Sequence, residues 1–305
     1  MWAPRGCGTI RPVPIRRTAF LVVAAALVAA AGAGLLANRA APAPGPQVRG
    51  PDDRRDVRTR YRRSLPPEAM PLFDRYMPRP VHPDDVLREF YFTRLAYSGS
   101  PYMGRGSWSV DFPKADVQFM IGLKRLLDQL DAYDYYNARQ ATDPELYRFP
   151  FLYSVEVGHM ALREDEREAL RRYLLAGGFW VIDDFWGSWE WANLERELSE
   201  LLPEYSIVDI PLDHPIFHCF YDVEEILQVP NVGQGRYGGP TWEQDGYTPH
   251  VRGIFDDHGR LMVVINWNTD LGDAWEWAED EWYPVRFSHY AYQMGVNFVV
   301  YAMSH

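Results

Sequence analysis

The sequence predicts an α/β domain built on a doubly wound, mainly parallel sheet, and three observations predict it. Short, continuously apolar runs recur, as strands covered on both faces do. Stretches with helical periodicity separate them. Two late runs flank a turn in the manner of a hairpin. In order, residues 90–95 read as a strand, and residues 115–130 as a helix with an apolar stripe at Phe119, Met120, Leu123, Leu126, Leu127 and Leu130. Residues 149–155 are a second buried strand. Glu164, Asp165 and Glu166 load the first turn of the next helix with negative charge, which suits its dipole, and Gly177-Gly178 stop it. Phe179-Trp180-Val181-Ile182 is the third strand, followed by a helix over 188–201 and a strand over 205–210. Residues 251–255 and 261–267 make the hairpin around Asp256-Asp257-His258-Gly259, and residues 286–303 the closing helix. The expected layout is residues 88–305 as one domain, 64–87 as an extension, 38–63 as a Pro- and Arg-rich linker and 1–37 as a leader.

Composition excludes several classes. The chain of 305 residues is 47% hydrophobic, 15% aromatic and 24% charged, a globular balance. Its net charge of -11 is unevenly spread: residues 1–63 hold 12 Arg and 3 Asp, which leaves 19 basic and 39 acidic side chains for residues 64–305. An acidic domain lacks the basic face a nucleic-acid binder needs. In the leader, Arg5, Arg11, Arg16 and Arg17 precede an uncharged, mostly Ala and Gly run of 20 residues from 18 to 37, the pattern of an export signal. Two readings stay open, cleavage near Ala31-Gly32-Ala33 or retention as an N-terminal anchor; both put the domain outside the cytoplasm. The linker's Arg54 to Arg63 stretch would face anionic lipid if the anchor is kept. Cys219 is the single cysteine after the leader and reads as a small buried hydrophobe.

In an open parallel sheet, ligands bind beyond the carboxyl ends of the strands. The polar residues expected there are Glu156 and His159, Asp183 and Asp184, and then Asp213, His214 and His218. Imidazoles and carboxylates converging this way suit a structural role, with an Asp at a strand end capping the next helix and His214-Pro215 setting a turn, or a divalent metal with His159, Asp184 and His214 as ligands, or an acid/base pair. His159, Asp184 and His214 are expected in one cleft. A second constellation is aromatic: Trp186, Trp189 and Trp191 crowd one segment, while Trp267, Trp275, Trp277 and Trp282 crowd another threaded with Asp270, Asp273 and Glu276. Flat rings beside carboxylates suit sugar rings, but large rings also pack long loops onto a domain and some of these Trp belong to the core; the loop over 270–282 is expected as a wall or lid.

Six ordered blocks carry a resemblance: Phe92-Thr93-Arg94-Leu95-Ala96-Tyr97-Ser98-Gly99, Asp111-Phe112-Pro113-Lys114-Ala115-Asp116, Tyr173-Leu174-Leu175-Ala176-Gly177-Gly178-Phe179, His214-Pro215-Ile216-Phe217, Asp270-Leu271-Gly272-Asp273-Ala274-Trp275-Glu276 and Gly295-Val296-Asn297-Phe298-Val299-Val300-Tyr301-Ala302. Over residues 88–304 the chain resembles the bacterial DUF family 4159, a domain of unknown function. The resemblance implies a flavodoxin-like, three-layer fold related to class I glutamine amidotransferases, and an envelope location; it implies no catalytic residues. Amidotransferases place a nucleophilic Cys on a sharp strand-to-helix turn. The matching turn here, Val181-Ile182-Asp183-Asp184-Phe185-Trp186-Gly187, has no Cys, Ser or Thr. The expectation is therefore a non-catalytic envelope module for a glycan, peptide or protein partner, with a metal-assisted or acid/base hydrolase as the alternative.

Overall fold

The computed structural model describes residues 83–99 and 108–305; the expected leader and linker lie outside the described residues. Strands are β1 (Thr93–Leu95), β2 (Asn137–Arg139), β3 (Phe151–Ser154), β4 (Phe179–Ile182), β5 (Ile207–Asp209), β6 (His250–Phe255) and β7 (Leu261–Trp267). Helices are α1 (Lys114–Leu126), α2 (Glu164–Leu175), α3 (Gly187–Leu201), α4 (Val232–Tyr237), α5 (Leu271–Glu276) and α6 (Val285–Ser304). The described residues form one seven-stranded sheet in the order β2-β1-β3-β4-β7-β6-β5. The first five are parallel. Only β6 is reversed, pairing antiparallel with β7 and β5.

Helices cover both faces, which gives the three layers of a flavodoxin-like fold. On one face Phe119, Met120 and Leu123 of α1, Leu271, Ala274 and Trp275 of α5 and the buried stripe of α6 meet Phe92, Tyr153, Val181 and Val264. On the other, Leu170 and Leu174 of α2 and Leu194, Leu198 and Leu201 of α3 meet Leu152, Trp180, Ile182 and Ile265. Because alternate strand residues feed both layers, the strands read as unbroken apolar runs. Helix α2 is capped where the Arg163 N–H donates to Glu166 Oε2 at 2.9 Å, and it ends at Gly177, whose φ of 113° only glycine adopts easily. The β6–β7 turn closes as expected, with Asp256 Oδ1 accepting from the His258 and Arg260 N–H groups.

Two features prepare the site. The chain winds one way from β1 to β2 and the other way from β3 onward, so a switch point lies between β1 and β3, where an open sheet leaves a crevice. Arg94, fully buried on β1, reaches out of the sheet to tie down the segment leading into α1. Its Nη2 and Nε donate to Asp116 of α1, and its Nη1 donates to Val110 O at 2.7 Å and Trp108 O at 3.2 Å. Asp116 is equally buried; burial pushes its carboxyl up against the pull of the guanidinium. Among the described residues, no helix is long and apolar enough to cross a membrane.

Candidate functional site

At the carboxyl edge of the parallel strands the chain repeatedly takes a conformation that L residues avoid. Five residues other than glycine have positive φ among the described residues: Asp111, Glu156, Asp184, Gln244 and Asn268. Glu156 follows β3, Asp184 follows β4, Asn268 follows β7, and Asp111 precedes α1 at the switch point. Gln244 joins them by donating from Nε2 to Glu190 Oε1. Left-handed geometry costs an L residue about 1–2 kcal/mol, and strain collected at one edge is a mark of function.

The edge gathers carboxylates. Asp111, Asp184 and Asp270 bring one oxygen each to within 4.8 Å of one another, and so do Asp111, Asp273 and Glu276. Each is held by its own local structure. Asp270 caps α5, accepting the Asp273 N–H at 2.7 Å. Asp273 accepts the Val232 N–H on one oxygen and the Trp277 indole N–H on the other. Asp184 accepts the Trp186 indole N–H at 3.1 Å. Behind them Asp183 Oδ2 accepts the Tyr153 hydroxyl and the Leu271 and Gly272 N–H groups at the start of α5. Gly272 leaves the space: a Cβ there would stand 3.0 Å from the Tyr153 hydroxyl and 3.2 Å from Asp111 Oδ2. Among these carboxylates two oxygens have no hydrogen-bond partner although buried, Asp111 Oδ2 and Asp183 Oδ1.

Burial and mutual repulsion govern the electrostatics. Asp111 lies well above the usual carboxylate range, first through burial and then through Asp273, Glu276 and Glu156. Burial likewise lifts Asp184, with Glu156 and Asp111 adding to it, and Asp270, with Asp184 and Asp273 adding to it. Asp183 is pushed up to about 7 by burial, which outweighs the hydrogen bonds it accepts. Glu156 rises to about 7 through burial, Glu190 and Glu243. Glu276 also rises to about 7, although Lys114 Nζ lies 3.7 Å away. That ammonium sits over the Trp277 ring and is the one Lys or Arg in ion-pair distance of either carboxylate triad among the described residues.

The expected residues divide. Glu156, Asp183, Asp184, Asp270, Asp273 and Glu276 all stand at this edge. His159 is at its margin, with Nε2 3.9 Å from Glu156 and 3.8 Å from Glu190, and its ring beside Trp189. The common cleft of His159, Asp184 and His214 does not form. His214 packs against Phe255 and Tyr301, and Phe255 pairs with Leu261, the first residue of β7. It therefore lies at the amino end of the parallel strands, its Nδ1 accepting the Ile216 N–H. His218 is on the surface, bonded to Asp222 and to Leu212 O. Trp275 is core rather than a sugar platform: it is 1% exposed among Phe92, Phe119 and Tyr153. The expected lid over 270–282 begins as helix α5, built into the core by Leu271, Ala274 and Trp275.

Sequence reasoning missed Asp111, Lys114, Tyr153 and Glu190. A signal for the first two was available: the strand-end rule applied to β1 leads to the start of α1 and to Asp111-Phe112-Pro113-Lys114. Cys219 is half-buried, its Sγ 3.2 Å from Asn297 O. No curated protein matches the sequence. The family model of a domain of unknown function, DUF4159, matches residues 91–303. A match over that much of the chain, with the blocks at 92–99, 111–116 and 270–276 supplying β1, the Asp111 segment and the α5 carboxylates, makes this protein a member of the DUF4159 family.

Proposed function

We propose that the chain is an exported module that seats a divalent cation at Asp111 and recognises an envelope ligand through that ion. One observation carries the reading: Asp111 belongs to both carboxylate triads, while its Oδ2 is buried without a donor. Buried carboxylates must be paired, protonated or metal-bound. Oxygen-only donors select hard ions such as Mg²⁺, Mn²⁺ and Ca²⁺ over Zn²⁺. Exposed aromatics near the edge, Trp189 on α3 and the Trp242–Tyr247 pair, offer apolar surface to a ligand held by the ion.

The test is equilibrium dialysis of the EDTA-stripped full chain against Mg²⁺, Mn²⁺, Ca²⁺ and Zn²⁺, with metal counted by mass spectrometry. Retention of a hard ion, weakened more than about 100-fold in Asp111→Asn, is expected, since even outer-shell changes cost 10–100-fold. A chain that retains no ion at millimolar concentration refutes the proposal. Acid/base hydrolysis at the same site is a second reading, favoured by the position of Glu156 and Glu276 near 7. Glu156→Gln would separate the two, since it removes any turnover but not ion retention.

Export rests on the basic stretch and uncharged run of residues 5–37. A reporter fused after His305 is expected to be active only outside the cytoplasm; cytoplasmic activity sinks this part of the proposal.

A further inference from the structure

Resting on the cation-binding reading, we infer that the pocket holds two divalent ions bridged by Asp111, and that the pair binds a phosphate-bearing ligand. The two triads share one carboxylate and occupy neighbouring positions along the start of α5, where Asp270 and Asp273 are linked by the cap hydrogen bond. Charge decides between one ion and two. The triads contain five carboxylates, and Lys114 stands beside one of them. With all five ionised, a single divalent ion and that ammonium leave two negative charges in a largely buried site, which low dielectric penalises heavily unless two of the carboxyls keep their protons. Two divalent ions with the ammonium balance all five.

A second observation is independent of the triads. Asp183 is fully buried, yet its Oδ1 has no partner. Its Oδ2 accepts from Gly272 N, and Gly272 also underlies Asp111 Oδ2. Directly behind the triads there is thus a second buried carboxylate, held to the start of α5 by Oδ2 and left with one oxygen without a hydrogen-bond partner.

The ligand class follows from coordination. Mg²⁺ and Mn²⁺ favour six oxygens, whereas each seat supplies three carboxylate groups, so each ion keeps positions open toward the crevice. Paired ions sharing a carboxylate lie roughly 3.5–4 Å apart, the separation at which two-metal centres clamp the oxygens of a phosphoryl group.

The full chain, stripped with EDTA and titrated with Mn²⁺, tests this. Two Mn²⁺ per chain are expected, and the second should broaden the electron paramagnetic resonance signal of the first through spin coupling. Inorganic phosphate should bind the two-ion form at least tenfold more tightly than the metal-free chain. Glu276→Gln, with circular dichroism as the control for folding, should retain one ion and lose the coupling. One ion in the wild type overturns the bridged pair and leaves the cation-binding reading standing, whereas no ion overturns both. Two uncoupled ions also overturn the bridge. A coupled pair indifferent to phosphate overturns the ligand class alone.

Discussion

Asp111→Asn is expected to melt higher than the wild type in EDTA at pH 8, and to lose the stabilisation that divalent ions give the wild type. Asn is the conservative choice because Asp111 has φ 59°, a region Asn tolerates. The substitution removes a carboxylate repelled by Asp273, Glu276 and Glu156 in a buried setting. Relief of that repulsion stabilises the metal-free variant wherever these carboxylates are ionised. In a domain of this size each kcal/mol so gained raises the melting temperature by roughly 2–4 °C. The direction with pH comes from linkage. Carboxyls raised on folding contribute fully below their unfolded values, near 4, and lose that contribution as pH rises through their folded values. For Glu156, Asp183 and Glu276 the folded values are about 7. The advantage of the variant should therefore be small at pH 5 and grow as pH rises toward 8 and above, as Asp111 and its neighbours ionise. Ion at 100 times its dissociation constant should add about 2.7 kcal/mol to the wild type and little to the variant. Scanning fluorimetry across pH, with and without Mn²⁺, measures all of this. A variant that melts lower in EDTA at pH 8, or that gains as much from the ion, is incompatible with the pocket as described.

How far the fold was legible depended on how each element earns its place. Strand β4 was read to the residue because both its faces are covered and all four side chains are buried. Strand β2, Asn-Ala-Arg at the sheet edge, carries no apolar pattern and exists through its pairing with β1. Helix α5 does have an apolar stripe, Leu271, Ala274 and Trp275 at i, i+3 and i+4, but a six-residue helix with a glycine falls below the window in which periodicity speaks. The site divides for similar reasons. Glu156, Asp183 and Asp184 were found because they come directly after apolar strands. His214 was misplaced because the rule for parallel strands was carried onto the flank beside reversed β6. There the chain bonds from Ile210 N to Val251 O and then runs back to Phe255, four residues farther along β6, which puts His214 at the wrong end. Arg94 gave no warning at all, since an apolar run with one basic residue reads equally well as an edge strand.

That arginine carries the largest expected effect on stability. Arg94→Met should lower the melting temperature by about 10 °C, because removing one partner of a buried ion pair costs about 3–5 kcal/mol and each kcal/mol shifts a domain of this size by about 2–4 °C. The loss comes from Asp116, left charged or forced to protonate where both side chains are fully buried, and from the Val110 and Trp108 carbonyls stripped of their donor. The double variant Arg94→Met/Asp116→Leu distinguishes this fold role from a role in the site. Replacing a buried ion pair by apolar side chains is often neutral, so the double variant should regain most of the lost melting temperature. It should not regain ion binding, which is expected to stay at least tenfold weaker by Mn²⁺ titration. Val110 adjoins Asp111, and without the 2.7 Å bond from Arg94 Nη1 nothing on β1 holds that stretch against the carboxylates of α5. If the double variant recovers both properties, Arg94 serves the core alone and Asp111 is positioned by its own turn into α1. If it recovers stability and not the ion, a strand buried in the sheet sets the geometry of the site at its edge.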